Sequence, residues 1–206
     1  MKTSAKFFSG VVVLAVVAVL CAAWWMSTYN SLVSKSEGVN LSWGNVQVAY
    51  QRRADLIPNL VETVRGYAKH EERVFEEVTK ARSQVLALSA DPATLAKLAD
   101  SAEIQKQFAQ AQRDLSSALS QLRVTVTVEA YPELKANEGF LRLQDQLEGS
   151  ENRIAIERRN NQAAVNDYNR FIQGFITRFV ANHYGYSKKP YFESDSGAEK
   201  APKLGF

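Results

Sequence analysis

Few residues of this 206-residue chain have side chains and spacings suited to acid–base, nucleophilic or metal chemistry. The two histidines are His70 and His183, and neither has a glutamate three residues before it, the pair that carboxylate-bridged metal bundles use. The single cysteine, Cys21, excludes an internal disulfide and a thiolate zinc cluster. No zincin, P-loop, nucleophile-elbow or dinucleotide-binding motif occurs. The sequence therefore predicts no catalytic, cofactor-binding or metal-binding residues and favours a protein that is not an enzyme.

An apolar segment near the N-terminus is the element that would fix the position of the rest of the chain at a membrane. From Phe7 to Met26 the chain has twenty residues without a charge, and a helix of that length spans about 30 Å, the thickness of a bilayer core. Trp24, Trp25 and Tyr29 lie at its far end, where such side chains favour the membrane interface. A cleaved signal peptide is the alternative, although its apolar stretch is usually shorter. We predict an uncleaved transmembrane anchor over residues 1–28.

The distribution of charge predicts orientation and excludes one class of partner. Lys2 and Lys6 precede the span and Lys35 follows it, so the positive-inside rule favours a cytoplasmic N-terminus and a periplasmic body. This arrangement predicts a single-pass protein of the cell inner membrane. The net charge of +3 comes from 25 basic and 22 acidic residues without a polybasic tail, so no nucleic-acid partner is predicted.

Behind the anchor, apolar residues recur at steps of three and four residues, which is typical of amphipathic helices. Three such runs cover residues 43–88, 95–126 and 140–179, and the last run ends with Ile172, Phe175 and Phe179. Pro58 predicts a kink or a local break in the first run, and prolines 92 and 132 mark the ends of the first two. Residues 124–128 alternate with a period of two, so a strand is the less favoured reading there.

These patterns predict an all-α protein in which an N-terminal transmembrane helix is followed by an elongated antiparallel helical bundle or coiled coil. The bundle is expected over residues 29–186. Residues 187–206 contain two prolines and mixed charges and are predicted to form a flexible tail. The polar block 160–162 is predicted to be a weakly packed or solvated part of the third helix.

Polar residues inside the apolar seams suggest how the helices are aligned. If the chain turns between residues 90 and 91 and between residues 133 and 134, antiparallel pairing predicts two polar layers that fix helix register. The simpler alternative is that these long side chains reach from the seam edge to water. The two predicted layers are Glu71–Gln112–Arg158 and Arg53–Glu129.

Several segments together resemble the LemA family of bacterial membrane proteins. The longest are RRADLIPNLVETVRGYAKHE (52–71) and EAYPELKAN (129–137), and Tyr168-Asn169 belongs to the same set. The resemblance covers about Tyr29 to Glu193 and implies an N-terminal transmembrane helix with an antiparallel helical bundle. It brings no established catalytic or metal-binding residues and only a poorly defined molecular function.

Two positions depart from the family pattern. Asn161-Gln162 stands where the family usually has Tyr-Asn, which could alter a packing layer. Phe175-Ile176 stands where the family usually has Phe-Pro, so a helix stop is missing and the last helix is expected to continue towards His183.

The resemblance also implies a role and candidate partners. Family members are often found near genes for a membrane metalloprotease or a TPM-domain protein, which implies work in the cell envelope. We expect a structural, scaffold or adaptor role, with the lipid bilayer, further copies of the chain in a homo-oligomer and such envelope proteins as partners. The alternative is an extracytoplasmic ligand-sensing bundle that acts through a membrane partner. An enzyme would need a site near His70 and Glu71 and is the least favoured reading.

Overall fold

A computed structural model describes residues 2–68, 70–90, 97–127 and 131–192, and within these ranges the chain is helical with no strand. The predicted all-α fold with a long N-terminal apolar helix is confirmed, and residues 124–127 are helical. Positions 91, 92, 128 and 129 and residues 193–206 lie outside the described ranges. The six described helices are α1 (Lys2–Arg65), α2 (Glu72–Ala90), α3 (Ala102–Thr127), α4 (Pro132–Lys135), α5 (Glu138–Gln173) and α6 (Thr177–His183).

Helix α1 joins the apolar segment and the body in one uninterrupted element of 64 residues. Its described apolar side chains between residues 10 and 20 are exposed and make no core contact, which an apolar environment such as a bilayer would compensate. α1 is the one helix in the described ranges long and apolar enough to cross a membrane. Pro58 lies inside this helix, so the chain does not break there.

The first apolar run is not one helix, which corrects the expectation of a continuous element to residue 88. The chain turns between Gly66 and Glu71, where the backbone N–H groups of Tyr67 and Ala68 both bond to the Val64 carbonyl, at 3.0 and 2.9 Å. Glycine is a poor helix former, and Ala68 is fully buried beneath the turn. The apolar spacing resumes in phase in α2, which concealed the turn in the sequence.

The four long helices alternate in direction. The Arg82 Nε of α2 donates to the Ala54 carbonyl of α1 at 2.8 Å. Helix α5 lies antiparallel to α1 along most of its length, as shown by hydrogen bonds that join Asn137 to Tyr67 and Asn161 to Ser42, each at 2.9 Å. Among the described residues α1 packs against α5 and α2, and α2 packs against α3, whereas α3 and α5 are not closely packed. The bundle is therefore open on one side.

The core consists of three clusters stacked along α1, and the burial of each large apolar side chain contributes roughly 1.5–3 kcal/mol. The cluster nearest the anchor contains Leu32, Val39, Val165, Tyr168, Ile172 and Ala181. The middle cluster is built on Trp43, Val46, Ala49, Tyr50, Leu98, Ala99, Phe108 and Ile154. The distal cluster includes Ile57, Leu60, Val64, Phe75, Val78, Val85, Leu115, Leu122 and Phe140.

The third run ends earlier than expected. Helix α5 stops at Gln173 because Gly174 adopts φ −56° and ψ 142°, which is extended backbone. The Thr177 hydroxyl then donates to the Phe171 and Gly174 carbonyls, and α6 begins as a separate short helix. The expectation of one helix running on towards His183 is wrong.

The region predicted to be a flexible tail begins with an ordered segment. Residues 187–192, here called the strap, lie against the bundle in an extended path without helix. The boundary drawn at residue 187 therefore does not separate an ordered body from a free tail.

Candidate partner-binding groove

Arg53 of α1 occupies the boundary between the middle and distal clusters, with only 2% of its surface exposed. Its Nη1 donates to Glu151 Oε1 of α5 at 2.6 Å and to Ser116 Oγ of α3 at 3.0 Å. Its Nη2 donates to the side-chain oxygen of Gln112, also on α3. The guanidinium lies 5.4 Å from the centre of the Tyr50 ring. One buried cation thus ties α1 to both helices that border the open side of the bundle.

The structure does not bring Glu71, Gln112 and Arg158 into one layer. Gln112 bonds to Arg53. Arg158 lies on α5 seven residues beyond Glu151, which is about 10 Å along the helix axis. The turn between Gly66 and Glu71 explains the difference, because it folds α2 back along α1 and sets a different register for α3.

The second predicted layer is replaced in part. Arg53 is the polar centre that the sequence indicated, but its acidic partner in the structure is Glu151. Glu129 lies outside the described residues. Glu151 lies in the third apolar seam, between Leu147 and Ile154, but the spacing of residues did not reveal that it is level with Arg53.

On the side of Arg53 away from the anchor, here called above, the open side of the bundle forms a groove between α3 and α5. It encloses a cavity of about 610 Å³ whose floor includes Leu60 of α1. Glu151 and Ser116 line its lower end, so the buried arginine centre closes the groove on that side. The apolar lining residues are Leu60, Leu119, Leu122, Phe140 and Leu147, the acidic ones are Asp145, Glu148 and Glu151, and Arg123 is a basic one. We call this region the upper groove.

Below the Arg53 centre, the same gap between α3 and α5 is covered by the strap. Asn169 of α5 holds the strap backbone with two bonds, because its Nδ2 donates to the Lys189 carbonyl and its Oδ1 accepts from the Lys189 N–H, each at 2.9 Å. The Tyr168 hydroxyl donates to the Ser187 carbonyl at 2.9 Å. Burial, and then the nearby Asp100 and Tyr186, raise the pKa of the Tyr168 phenol to about 12.

The strap side chains complete this lower closure. The buried Lys189 ammonium donates to Asp100 Oδ1 at 2.8 Å and to Asn40 Oδ1 at 3.1 Å. The Phe192 ring lies 4.9 Å from the Trp43 ring and 5.1 Å from the Arg158 guanidinium. A lysine and an aromatic ring on an extended chain therefore cover the lower part of the gap, and a cavity of about 660 Å³ remains between α3 and strap residues 190–192.

The two longest family motifs meet at the end of the bundle farthest from the anchor. Asn137 Nδ2 donates to the Tyr67 hydroxyl at 2.9 Å, and the Tyr131 hydroxyl donates to Glu71 Oε1 at 3.4 Å. Burial and the neighbouring Glu71 raise the pKa of Tyr131. These contacts hold the turn before α2 against the segment before α5. Within the described ranges, no three His, Cys, Asp or Glu side chains are grouped closely enough to hold a metal ion.

Trp25 and Tyr29, predicted at the membrane interface, contact the C-terminal end of α6. The Trp25 indole Nε1 lies 3.4 Å from the Tyr184 hydroxyl and its ring 5.6 Å from His183. The Tyr29 and Tyr184 rings are 4.4 Å apart, whereas Trp24 is exposed.

Sequence reasoning missed the buried asparagines of α5. Asn161 was expected in a solvated segment, yet it is buried and its Nδ2 donates to Ser42 Oγ at 2.9 Å. Asn169 holds the strap, and the available signal was its place in the Tyr168-Asn169 motif. Lys189 was assigned to the tail because prolines and mixed charges surround it.

The fold and this groove define a membrane-associated helical-bundle protein. The chain belongs to the LemA family, whose sequence model matches residues 42–206. It is 28% identical over 196 residues to Magnetosome protein MamQ 2 of Paramagnetospirillum magneticum, and this alignment covers 87% of this chain and 71% of that protein. It is 26% identical over 176 residues to Magnetosome protein MamQ of Magnetospirillum gryphiswaldense, and this alignment covers 80% of this chain and 64% of that protein. Neither name designates an enzymatic activity.

Proposed function

We propose that this protein is a membrane-anchored adaptor of the bacterial cell envelope that holds a segment of a partner protein in the upper groove. One observation carries the proposal: the gap between α3 and α5 is covered by the strap below Arg53 but is open above it. A continuous α1 would transmit any load on the groove directly to the anchor.

The strap indicates what chemistry the groove accepts. In the lower part, an extended segment places Lys189 on an acidic side chain and Phe192 against aromatic and basic side chains. The upper groove offers similar surroundings, because leucine and phenylalanine side chains form its walls and its lining has more acidic residues, among them Asp145 and Glu148, than basic ones, represented by Arg123. Its occupant is therefore a short partner segment with apolar or aromatic residues and at least one or two positive charges.

The setting of this adaptor is the inner membrane, with the body on the periplasmic side and further copies of the chain beside it. The charges of Lys2 and Lys6 before the span support this orientation. A membrane metalloprotease or a TPM-domain protein, both implied by the family resemblance, would present suitable segments at the same membrane.

The cavity itself favours a second candidate, a ligand-sensing bundle. Its volume of about 610 Å³ falls in the range of small-molecule pockets, roughly 300–1,000 Å³. A sensor would bind a small molecule there and would leave no protein segment in the upper groove.

Site-specific photo-cross-linking in intact cells tests the adaptor. A benzoylphenylalanine replaces Glu148, which lines the groove, or Gln146, which is exposed on the same helix but does not line it. We expect a discrete adduct from position 148 and none from position 146. Sequencing of the cross-linked peptide should give an apolar segment with lysine or arginine from another protein, and Asp145→Lys should reduce the adduct.

Other outcomes contradict the adaptor. An adduct to this chain's own C-terminal residues or to a second copy would show that the protein fills its own groove. Equal adducts at both positions would show only crowding at the surface. Absence of any adduct, together with a small molecule that raises the Tm of the purified protein, would favour the sensor.

A further inference from the structure

We infer that the bundle has a second membrane contact besides the anchor: residues 175–184, here called the foot, lie on the bilayer surface. This inference rests on the proposed anchoring of α1 and assigns a lipid surface as the partner of the exposed side of the foot, whose other side packs on the core through Val180 and Ala181.

The foot is the part of the body closest to the anchor. Helix α5 runs antiparallel to α1, so its C-terminal end reaches the level of Lys35, whose ammonium lies 5.6 Å from the Phe171 ring. The chain then continues past this level through α6, until His183 and Tyr184 contact Trp25. Trp25 is the penultimate residue of the apolar segment that ends at Met26. The C-terminal end of the foot is thus level with the point where α1 leaves the bilayer.

The foot exposes large apolar side chains that have no role in the bundle. Phe175 is 85% exposed, Ile176 54% and Phe179 62%. The two phenylalanine rings are 6.2 Å apart and perpendicular, so they form one patch. Both residues continue the apolar seam of the third run, but α5 ends before them and no helix in the described part of the chain covers them. A cluster of exposed aromatic and aliphatic side chains of this kind marks an interaction surface.

The charges around the foot favour a lipid surface over another protein. From Tyr168 to Phe192 the chain has no acidic residue and four basic ones. Arg170 and Arg178 are exposed, and Lys35 is half-buried beside the foot. Burial, and then the nearby Tyr29 and the exposed Glu37 of α1, raise the pKa of Tyr186, so one acidic residue also lies close to this region. Aromatic rings flanked by arginine and lysine are the composition that binds the headgroup region of anionic bilayers. Together with Trp24 and Tyr29, the aromatic residues of the foot would form an aromatic belt around the point where α1 leaves the membrane.

A depth measurement by spin labelling tests this inference on the full-length chain in vesicles of mixed zwitterionic and anionic lipid. The only cysteine is replaced by Cys21→Ser, and a nitroxide is attached at one of four positions. Phe175→Cys and Phe179→Cys report on the foot. Leu14→Cys reports on the span, and Ile156→Cys, an exposed apolar position on α5, reports on the distant body. Because all four side chains are exposed, these substitutions should leave the fold intact.

For each label we measure the ratio of its collision rate with oxygen to its collision rate with a water-soluble nickel chelate, which rises with depth in the bilayer. We expect this ratio to be several-fold higher at positions 175 and 179 than at position 156. The two foot labels should lie shallower than the label at position 14 and become less immersed in purely zwitterionic vesicles. Foot labels that match position 156 overturn the inference, as does spin–spin broadening between copies without immersion. A water-exposed label at position 14 would overturn the anchor itself, which separates that failure from failure of the foot.

Discussion

At the scale of single residues, the bundle depends on one buried cation. Arg53 donates charge-assisted hydrogen bonds to a carboxylate, an amide oxygen and a hydroxyl on two helices whose backbones are not closely packed against each other. Such a centre adds little net stability compared with apolar packing, because burying the charge is costly, but it specifies which helices meet and at which level. It also forms the lower boundary of the upper groove.

Double-mutant cycles distinguish this centre from the layer that the sequence predicted. Glu151→Gln leaves a buried guanidinium without its carboxylate and should lower the free energy of unfolding by roughly 1–3 kcal/mol. Arg53→Met combined with Glu151→Gln should cost less than the sum of the two single substitutions, with a coupling energy above about 0.5 kcal/mol in urea unfolding. The same cycle on Glu71 and Arg158 serves as the control and should be additive. Additivity at Arg53 and Glu151 would contradict the account.

Tyr168 should make stability depend on alkaline pH. Its folded pKa of about 12 lies above the ordinary value of 10.0, so the unfolded chain loses this proton first. Its contribution is therefore complete below pH 10 and is lost as the pH rises to 12. Tyr168→Phe removes the bond to Ser187 and should cost about 1 kcal/mol near neutral pH. We expect this deficit to shrink between pH 10 and 12 in denaturant titrations. A constant deficit would show that the phenol does not titrate abnormally.

At the scale of elements, the sequence predicted faces better than connections. The spacing of Trp43, Val46 and Ile57 correctly identified the buried face of α1, because burial follows helical period. The turn after Gly66 was not predicted because the period resumes beyond it, and Tyr67, which lies in the first apolar run, is 39% exposed in this turn. Helix register was equally hidden, because it depends on turn positions that no local pattern specifies.

In the strap, by contrast, composition predicts disorder where the chain is ordered. Its residues look disordered by composition, yet Asn169 on a distant part of the chain supplies the bonds that a neighbouring strand would supply. The upper groove, likewise, could not be predicted, because it arises from the separation of α3 and α5 and from no local motif.

Release of the strap gives a test at this scale. Asn169→Ala removes two bonds to the Lys189 backbone and should cost about 1–3 kcal/mol. Amide hydrogen exchange in residues 187–192 should then accelerate more than exchange in α2. Asn160→Ala is the matched control on α5, because Asn160 is exposed and bonds only locally to Glu157 among the described residues. Equal exchange in both variants would mean that Asn169 does not hold the strap.

At the scale of the whole molecule, one continuous helix connects the anchor with a body that has an open side. Parallel anchors confine copies to one plane and raise their effective concentration, which favours association. We expect sedimentation of the full-length protein in mild detergent to show an oligomer whose mass falls on dilution. A monomer at every concentration would contradict this expectation.

The groove is tested most directly by the affinity of purified full-length protein in nanodiscs for a synthetic peptide that alternates lysine with leucine and phenylalanine. Asp145→Lys with Glu148→Lys reverses the rim, whereas Glu62→Lys with Glu76→Lys makes the same charge change at exposed positions outside the groove. Each rim charge contributes up to about 1 kcal/mol, so the rim variant should bind about tenfold more weakly and the control variant nearly as the unmodified protein does. Equal weakening in both variants, or none in either, would contradict a groove that recognises basic, apolar segments.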